Sequence, residues 1–329
     1  MSFLAEKLTY PSANGRDTIS AVLWHDSEVE PRGILQIVHG MCEYMVRYEE
    51  FARVFTSNGI IVCGNDHTGH GASKGEDGYG YFAKKDGDKH LVTDVRTLNR
   101  IIKEKYLDTP IFMIGHSLGS FITRSYISDY GDELSGIILS GTAGTNPFGG
   151  VGLLLSRLII TFKGAKYRSK FLNKLASGNY NERYKDKRTI YDWITSDTEI
   201  VDKYAADERC AYVFTAGGYY DIIKLLSHIS SPKWAGSIAK QKPYLIFSGT
   251  MDPVGNYGKG VREVYDRMTE AGCTDITLKF YENGRHEMLN EVNRKDVYND
   301  VLAWINSVIT QNFILRKMKL LLLTEKSFH

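Results

Sequence analysis

Short continuous apolar runs recur along this chain, and amphipathic helical patterns fill the gaps between them. Residues 33–38 (GILQIV), 60–64 (IIVCG), 111–115 (IFMIG), 136–139 (GIIL) and 244–247 (YLIF) are apolar without alternation. Runs of that length, rich in Ile and Val, suit strands of a parallel sheet covered on both faces. Residues 47–57, 91–105, 118–130 and 258–271 carry apolar side chains at three- and four-residue spacing, which predicts helices. Strands alternating with helices imply βαβ units and an α/β class with a mostly parallel sheet. Residues 4–10 and 18–24, separated by a turn at Asn14-Gly15, predict an antiparallel hairpin at the sheet edge.

This pattern breaks between about Thr142 and Trp234. An apolar stretch holding Phe148, Val151, Leu153, Leu154, Leu155, Leu158 and Phe162 is followed by a polar region rich in Tyr, Asn and Lys. Later come Tyr212, Val213, Phe214, Tyr219 and Tyr220. The expected organisation is a core of residues 1–141 and 235–311, a helical cap inserted at 142–234, and a C-terminal extension at 312–329. In that extension basic residues flank four leucines, a composition compatible with an interfacial helix, a packed helix or a frayed tail.

Composition narrows the functional classes. The net charge is +2, from 41 basic and 39 acidic residues among 329, so there is no electrostatic footprint for nucleic acid. The four cysteines form no CxxC pair, which gives no sign of a zinc or redox site. No apolar run with a basic flank opens the chain and no stretch of about 18 apolar residues occurs. The expectation is a cytoplasmic protein without a membrane span.

Chemistry concentrates at Gly115-His116-Ser117-Leu118-Gly119, a G-x-S-x-G sequence with an apolar strand entering and a helix leaving. Such a turn lifts a serine hydroxyl above the sheet and sets a helix N-terminus beneath it, where backbone amides favour an oxyanion. A serine nucleophile needs a base, and the base an orienting acid. On this architecture the chain order is Ser, then Asp or Glu, then His. His286 follows the strand expected at 277–281, whereas His228 falls in the insertion and His329 ends the chain. Asp252, in a Gly- and Pro-marked loop after the strand at 244–248, sits at the correct sheet edge; Asp275 would sit at the opposite one. The second oxyanion donor comes from the loop after the strand ending at Val38, so the amides of Met41 and Leu118 form the natural pair.

Together these segments resemble the monoacylglycerol lipase and lysophospholipase branch of the α/β-hydrolases, also called serine aminopeptidase-like hydrolases. The resemblance runs from about Phe3 to Ile309. His39-Gly-Met-Cys-Glu43-Tyr-Met-Val-Arg47-Tyr48 resembles that group's HGxxEHxxRY segment, with Tyr44 where the group usually has histidine. Asp66-His-Thr-Gly69-His-Gly71-Ala-Ser73 resembles its D-x-x-G-H-G-x-S loop; the Gly69-His70-Gly71 part reads as a structural turn. The resemblance implies Ser117, Asp252 and His286 as a triad under a helical cap, and Glu43 and Arg47 at the head-group end of the pocket. By spacing alone those two sit on the first turns of a helix, where a local ion pair competes with substrate contact.

The reaction expected is acyl transfer to water without a cofactor, on a lipid ester such as a monoacylglycerol or lysophospholipid. Apolar cap residues facing inward would line the acyl site. A short-chain carboxylesterase, an aminopeptidase using Glu43 for a substrate ammonium, and a non-catalytic ligand-binding relative are the alternatives. Transient contact with a membrane surface through the cap or the C-terminal extension is a further expectation.

Overall fold

The computed structural model describes residues 2–326 except 148, 186 and 232. Phe148, the side chains of leucines 320 to 323 and the last three residues, His329 among them, lie outside the described residues. The chain opens with β1 (Phe3–Pro11), β2 (Thr18–Asp26) and β3 (Gly33–Val38), then α1 (Glu49–Thr56), β4 (Ile60–Asn65) and α2 (Gly87–Lys105). There follow β5 (Ile111–His116), α3 (Leu118–Tyr130), β6 (Gly136–Ser140), and five helices: α4 (Gly149–Lys163), α5 (Lys170–Ser177), α6 (Thr198–Ala206), α7 (Ala216–Ile229) and α8 (Trp234–Ser237). The chain then forms β7 (Tyr244–Gly249), α9 (Lys259–Glu270), β8 (Ile276–Tyr281) and α10 (Arg294–Lys326).

The strands form one sheet in the order β1-β2-β4-β3-β5-β6-β7-β8. From β4 to β8 every pairing is parallel, while β1–β2 and β2–β4 are antiparallel. β3, β4, β5, β6 and β7 are buried at every residue, which explains why their sequences are continuously apolar. Their side chains still alternate between two cores. On one face Ile34, Ile61, Met113 and Ile137 pack with Leu98 and Ile102 of α2, Ile122 and Tyr126 of α3, and Val264 of α9. On the other, Leu35, Ile37, Phe112 and Ile114 pack with Phe51 and Phe55 of α1 and with Tyr298, Val301 and Ile305 of α10.

The expected edge hairpin is present, its nine-residue register running from Phe3–Asp26 to Pro11–Thr18. The helix expected at 47–57 is split: Met45–Tyr48 is a tight 3-10 turn and only then does α1 begin. Glu43 therefore precedes any helix and Arg47 lies in the 3-10 turn. The segment joining β6 to β7 is mainly helical, with α4 packed on α7. Arg124 of α3, fully buried, ties down both of its ends by donating to the carbonyls of Ala143 (2.7 Å) and Ile229 (2.7 Å). α10 continues unbroken past residue 311, and Phe313, Ile314, Leu315 and Met318 on it are exposed.

One position tests the packing directly. A Cβ on Gly119 would lie 1.8 Å from the carbonyl oxygen of Val38, so α3 meets β3 backbone to side with no room for a methyl group. Gly119→Ala is expected to destabilise the fold by about 3 kcal/mol through overpacking. Gly150→Ala, whose Cβ would meet nothing within 4 Å, is expected to stay within about 0.5 kcal/mol of the parent. Urea unfolding of the two variants measures the contrast.

Candidate active site

β5 runs straight into Ser117, and α3 begins at the next residue. Ser117 sits at φ 53° and ψ −119°, a backbone conformation that costs an L-residue about 1–3 kcal/mol and is retained where surrounding packing enforces it. The enforcement is visible. The Ser117 amide donates to Ser140 on β6 (3.0 Å), and its carbonyl accepts from the Ser120 amide (2.9 Å) and hydroxyl (2.6 Å). The side chain is only partly buried and borders a cavity of about 550 Å³.

His286 borders the same cavity from the loop after β8, and Asp252 stands behind it on the loop after β7. The imidazole Nδ1 lies 2.9 Å from Asp252 Oδ1. Asp252 is fully buried and accepts further bonds from the Val254 amide (2.9 Å) and the Ser248 hydroxyl (3.0 Å). Burial alone would raise its pKa, but the imidazole and these donors hold it below the ordinary carboxylate value. Burial alone would likewise lower His286, yet Asp252, and more weakly Glu287 and Glu43, raise it above the usual 6.5. The other ring nitrogen, Nε2, is buried with no hydrogen-bond partner among the described residues. The ring packs between His116 and Trp193, at centroid distances of 4.7 and 5.1 Å.

The loop after β3 approaches the serine from the side. A Cβ on Gly40 would lie 3.1 Å from Ser117 Cβ, so that loop passes within contact distance of the nucleophile candidate. The next residue, Met41, and the first residue of α3, Leu118, both border the cavity. Among the described residues neither amide is matched with a backbone or side-chain acceptor. These are the two amides that loop position singles out in the sequence.

Glu43 and Arg47 are both brought to the site, where they bond to each other and to neighbouring protein groups. Glu43 borders the cavity, but its carboxylate is occupied: Oε1 accepts from the Gly40 amide and from the Tyr48 hydroxyl (2.9 Å), Oε2 from Arg47 (3.1 Å). Arg47 forks onto Glu287 at 2.9 and 2.7 Å. The local ion pair is thus present as one part of a larger buried network. Glu287 is marked in the sequence only by its neighbour His286; Trp193 and Tyr204 carry no such mark, because only the folded segment between β6 and β7 brings them here.

The Gly69-His70-Gly71 segment is a turn. Both glycines have positive φ, and Asp66 clasps it by accepting from the amides of Met45 (2.7 Å) and Ala72 (2.8 Å). His39, His67 and His70 pack against one another in tilted and edge-on contacts beside the loop after β3, with burial pushing all three pKa values down, His67 to about 4 and His70 to about 3, so they pack as neutral rings.

Of the apolar residues singled out between 142 and 234, Tyr219 lines the cavity, and the rest of its apolar wall comes from neighbours on α5 and α7. Leu172 and Leu175 of α5, Tyr180, and Tyr219, Ile222, Ile223 and Leu226 of α7 line it. From α4 only Gly152 does, while Val151, Leu154, Leu158 and Phe162 face outward and are 46–79% exposed. A helix that is apolar nearly all round has no face that sequence can mark as inner, and packing against α7 selects it.

The family model described as "Serine aminopeptidase, S33" matches residues 29–293. The chain is 31% identical over 283 residues to the monoacylglycerol lipase of Mycolicibacterium smegmatis, covering 85% of this chain and 90% of that protein. It is 28% identical to the human monoglyceride lipase, over 85% and 83% of the two chains. A thermostable carboxyl esterase from Bacillus coagulans, solved with glycerol, superposes with a TM-score of 0.85 at 32% identity, over 94% of this chain and 100% of that one. A soluble variant of the Saccharomyces cerevisiae monoglyceride lipase shares the fold, with a TM-score of 0.74 at 19% identity, over 94% and 97%. With its nucleophile turn, sheet order and ordered site loops, the chain belongs to the serine aminopeptidase S33 family of α/β-hydrolases.

Proposed function

We propose that this protein hydrolyses carboxylic esters of single-chain lipids, with monoacylglycerol or lysophospholipid as substrate class and Ser117, His286 and Asp252 as its catalytic triad. The observation that carries the proposal is the buried Asp252–His286 pair, whose imidazole, its Nε2 unpartnered among the described residues, borders the same apolar-walled cavity as Ser117. The family supports ester hydrolysis, and two relatives named as monoacylglycerol or monoglyceride lipases span most of the chain.

In this mechanism His286 Nε2 takes the Ser117 proton as the hydroxyl attacks the ester carbonyl. Asp252 holds the Nδ1–H tautomer and stabilises the imidazolium. The Met41 and Leu118 amides receive the oxyanion, each such donor contributing about 2.7–4 kcal/mol. The imidazolium then protonates the leaving alcohol, and water, deprotonated by the same nitrogen, releases the acid. Side chains and water supply every step. Residues 142–234 act as a cap over the core formed by residues 1–141 and 235–311, and α5 and α7 supply the acyl-chain wall, each buried CH₂ contributing about 0.8 kcal/mol.

The outer face of the cap supports contact with a lipid surface. Val151, Leu154, Leu158 and Phe162 recur along one side of α4, with Phe171 and Leu175 of α5 also exposed. Leu175 both faces solvent and lines the cavity, so the apolar face lies at its opening. From 149 to 177 the chain has no acidic residue and carries Arg157, Lys163, Lys166, Arg168, Lys170 and Lys174, which suits an anionic surface. No helix among the described residues is long and apolar enough to cross a membrane.

Three outcomes are expected. A fluorophosphonate probe labels the wild type and not Ser117→Ala, and long-chain 1-monoacylglycerol is turned over faster than acetyl esters; preference for acetyl esters would move the substrate class to short esters. The acid limb of kcat/KM lies above pH 6.5, because the base is neutral only above a raised His286 pKa. Asp252→Asn removes the strongest of the charges that oppose burial, moving the limb to lower pH while kcat falls on the order of 10⁴-fold. Finally, Leu154→Ser/Phe162→Ser loses flotation with vesicles containing anionic lipid yet keeps its rate on a water-soluble ester; undiminished flotation would remove the surface role.

A further inference from the structure

The Glu43–Arg47–Glu287 network is buried, continuous and internally satisfied. Glu43 and Glu287 are 2% and 5% exposed. Glu43 Oε1 holds two donors, the Gly40 amide and the Tyr48 hydroxyl, and Oε2 holds Arg47. Arg47 Nη1 spends both of its hydrogens, on Glu43 and Glu287, and Nη2 completes the fork on Glu287. Glu287 also accepts from Asn290 (2.9 Å). The guanidinium lies over the Tyr204 ring at 5.0 Å. Little capacity remains for a substrate hydroxyl.

The ends of the network adjoin the two groups that the proposed chemistry sets around Ser117. Gly40, held by Glu43, precedes the Met41 amide. Glu287 follows His286, and the backbone of that pair is pinned to the inserted segment, with Glu287 N donating to Ile194 (2.6 Å) and His286 N to Trp193 (3.4 Å). A buried ion pair rarely outperforms apolar residues of equal volume for stability, so its presence here calls for another reason. A bidentate fork fixes distance and plane together.

We propose that Glu43, Arg47 and Glu287 are positioning residues that hold the Met41 oxyanion amide and the His286 imidazole in register with Ser117, rather than a subsite for the head group of the substrate. This rests on the triad and oxyanion assignment proposed above. The network also contributes negative charge near the base. The groups facing His286 are Asp252, Glu287, Glu43 and the neutral His116; those facing the network are Tyr48, Tyr204, Cys210 and His116. Burial pushes Glu43 up to about 7, whereas its fork with Arg47 keeps Glu287 low.

The test compares Glu43→Gln, Glu287→Gln and Arg47→Lys on two substrates, a long-chain 1-monoacylglycerol and the p-nitrophenyl ester of the same acid, which lacks the glycerol head. Glu43→Gln keeps an acceptor for Gly40 and Tyr48 and is the variant best placed to stay folded; thermal melting of each variant checks this. The expected result is a fall in kcat of up to about 10²-fold, of similar size on both esters, with KM little changed. The acid limb moves to lower pH in Glu287→Gln, since removing a negative charge disfavours the imidazolium, and moves less in Glu43→Gln, whose carboxyl is already partly protonated in that range. Arg47→Lys, which keeps the charge and loses the fork, also loses rate. A raised KM confined to the monoacylglycerol would overturn the proposal in favour of a head-group subsite. Lowered melting temperature with unchanged kcat and unchanged limb would reduce the network to a structural role and overturn it too. Failure of the fluorophosphonate probe to label wild-type Ser117 would identify the triad assignment as the fault, and the proposal would fall with it.

Discussion

The contact on which this site depends is the approach of α3 to β3. Gly119 leaves no space for a side chain against the Val38 carbonyl, and Gly115 would place a Cβ 2.4 Å from both Gly119 O and Thr123 Oγ1. Two glycines thus let strand, turn and helix close on one another within van der Waals distance. The turn between them can then be strained at Ser117, because neighbours on β3, β6 and α3 leave it no alternative. The same closeness brings the loop after β3 alongside the serine, so one packing decision sets both Ser117 and the amides proposed as its oxyanion donors.

The polar chemistry is arranged around that fixed point by burial. Taken out of water, a carboxylate, an imidazole and a guanidinium each need partners, and here the partners are one another. Asp252 is kept ionised by His286 and nearby donors, and His286 is kept basic by Asp252 against the pull of burial. Nearby, two carboxylates share one guanidinium, and burial, with the charge of Glu287 beside it, pushes Glu43 up to about 7 against the pull of Arg47. The histidines beside the loop after β3 have no such partners and pack as neutral rings. Residue types alike in sequence therefore carry different charge according to their neighbours.

The inserted segment divides its labour between two faces. α5 and α7 turn apolar side chains to the cavity, α4 turns them to solvent, and the stretch around Trp193 and Ile194 is bonded to the backbone of the His286 loop. The part of the segment that touches His286 is thereby the anchored part, while the outward apolar face lies on α4 and α5.

Sequence alone determined the parallel sheet, because strands buried on both faces must be continuously apolar. It also placed Ser117, Asp252 and His286, since each sits at a strand end whose turn residues are local. It marked Met41 and Leu118 for the same reason: a backbone donor is set by loop position, not by side chain. Tertiary structure decided what depends on distant partners. Glu43 and Arg47 carry the same motif whether they face a substrate or Glu287, and only the return of the chain 240 residues later supplies the fork. Which apolar stripe of α4 is inner was equally undetermined, because a helix apolar nearly all round takes its inward face from the helix it packs on.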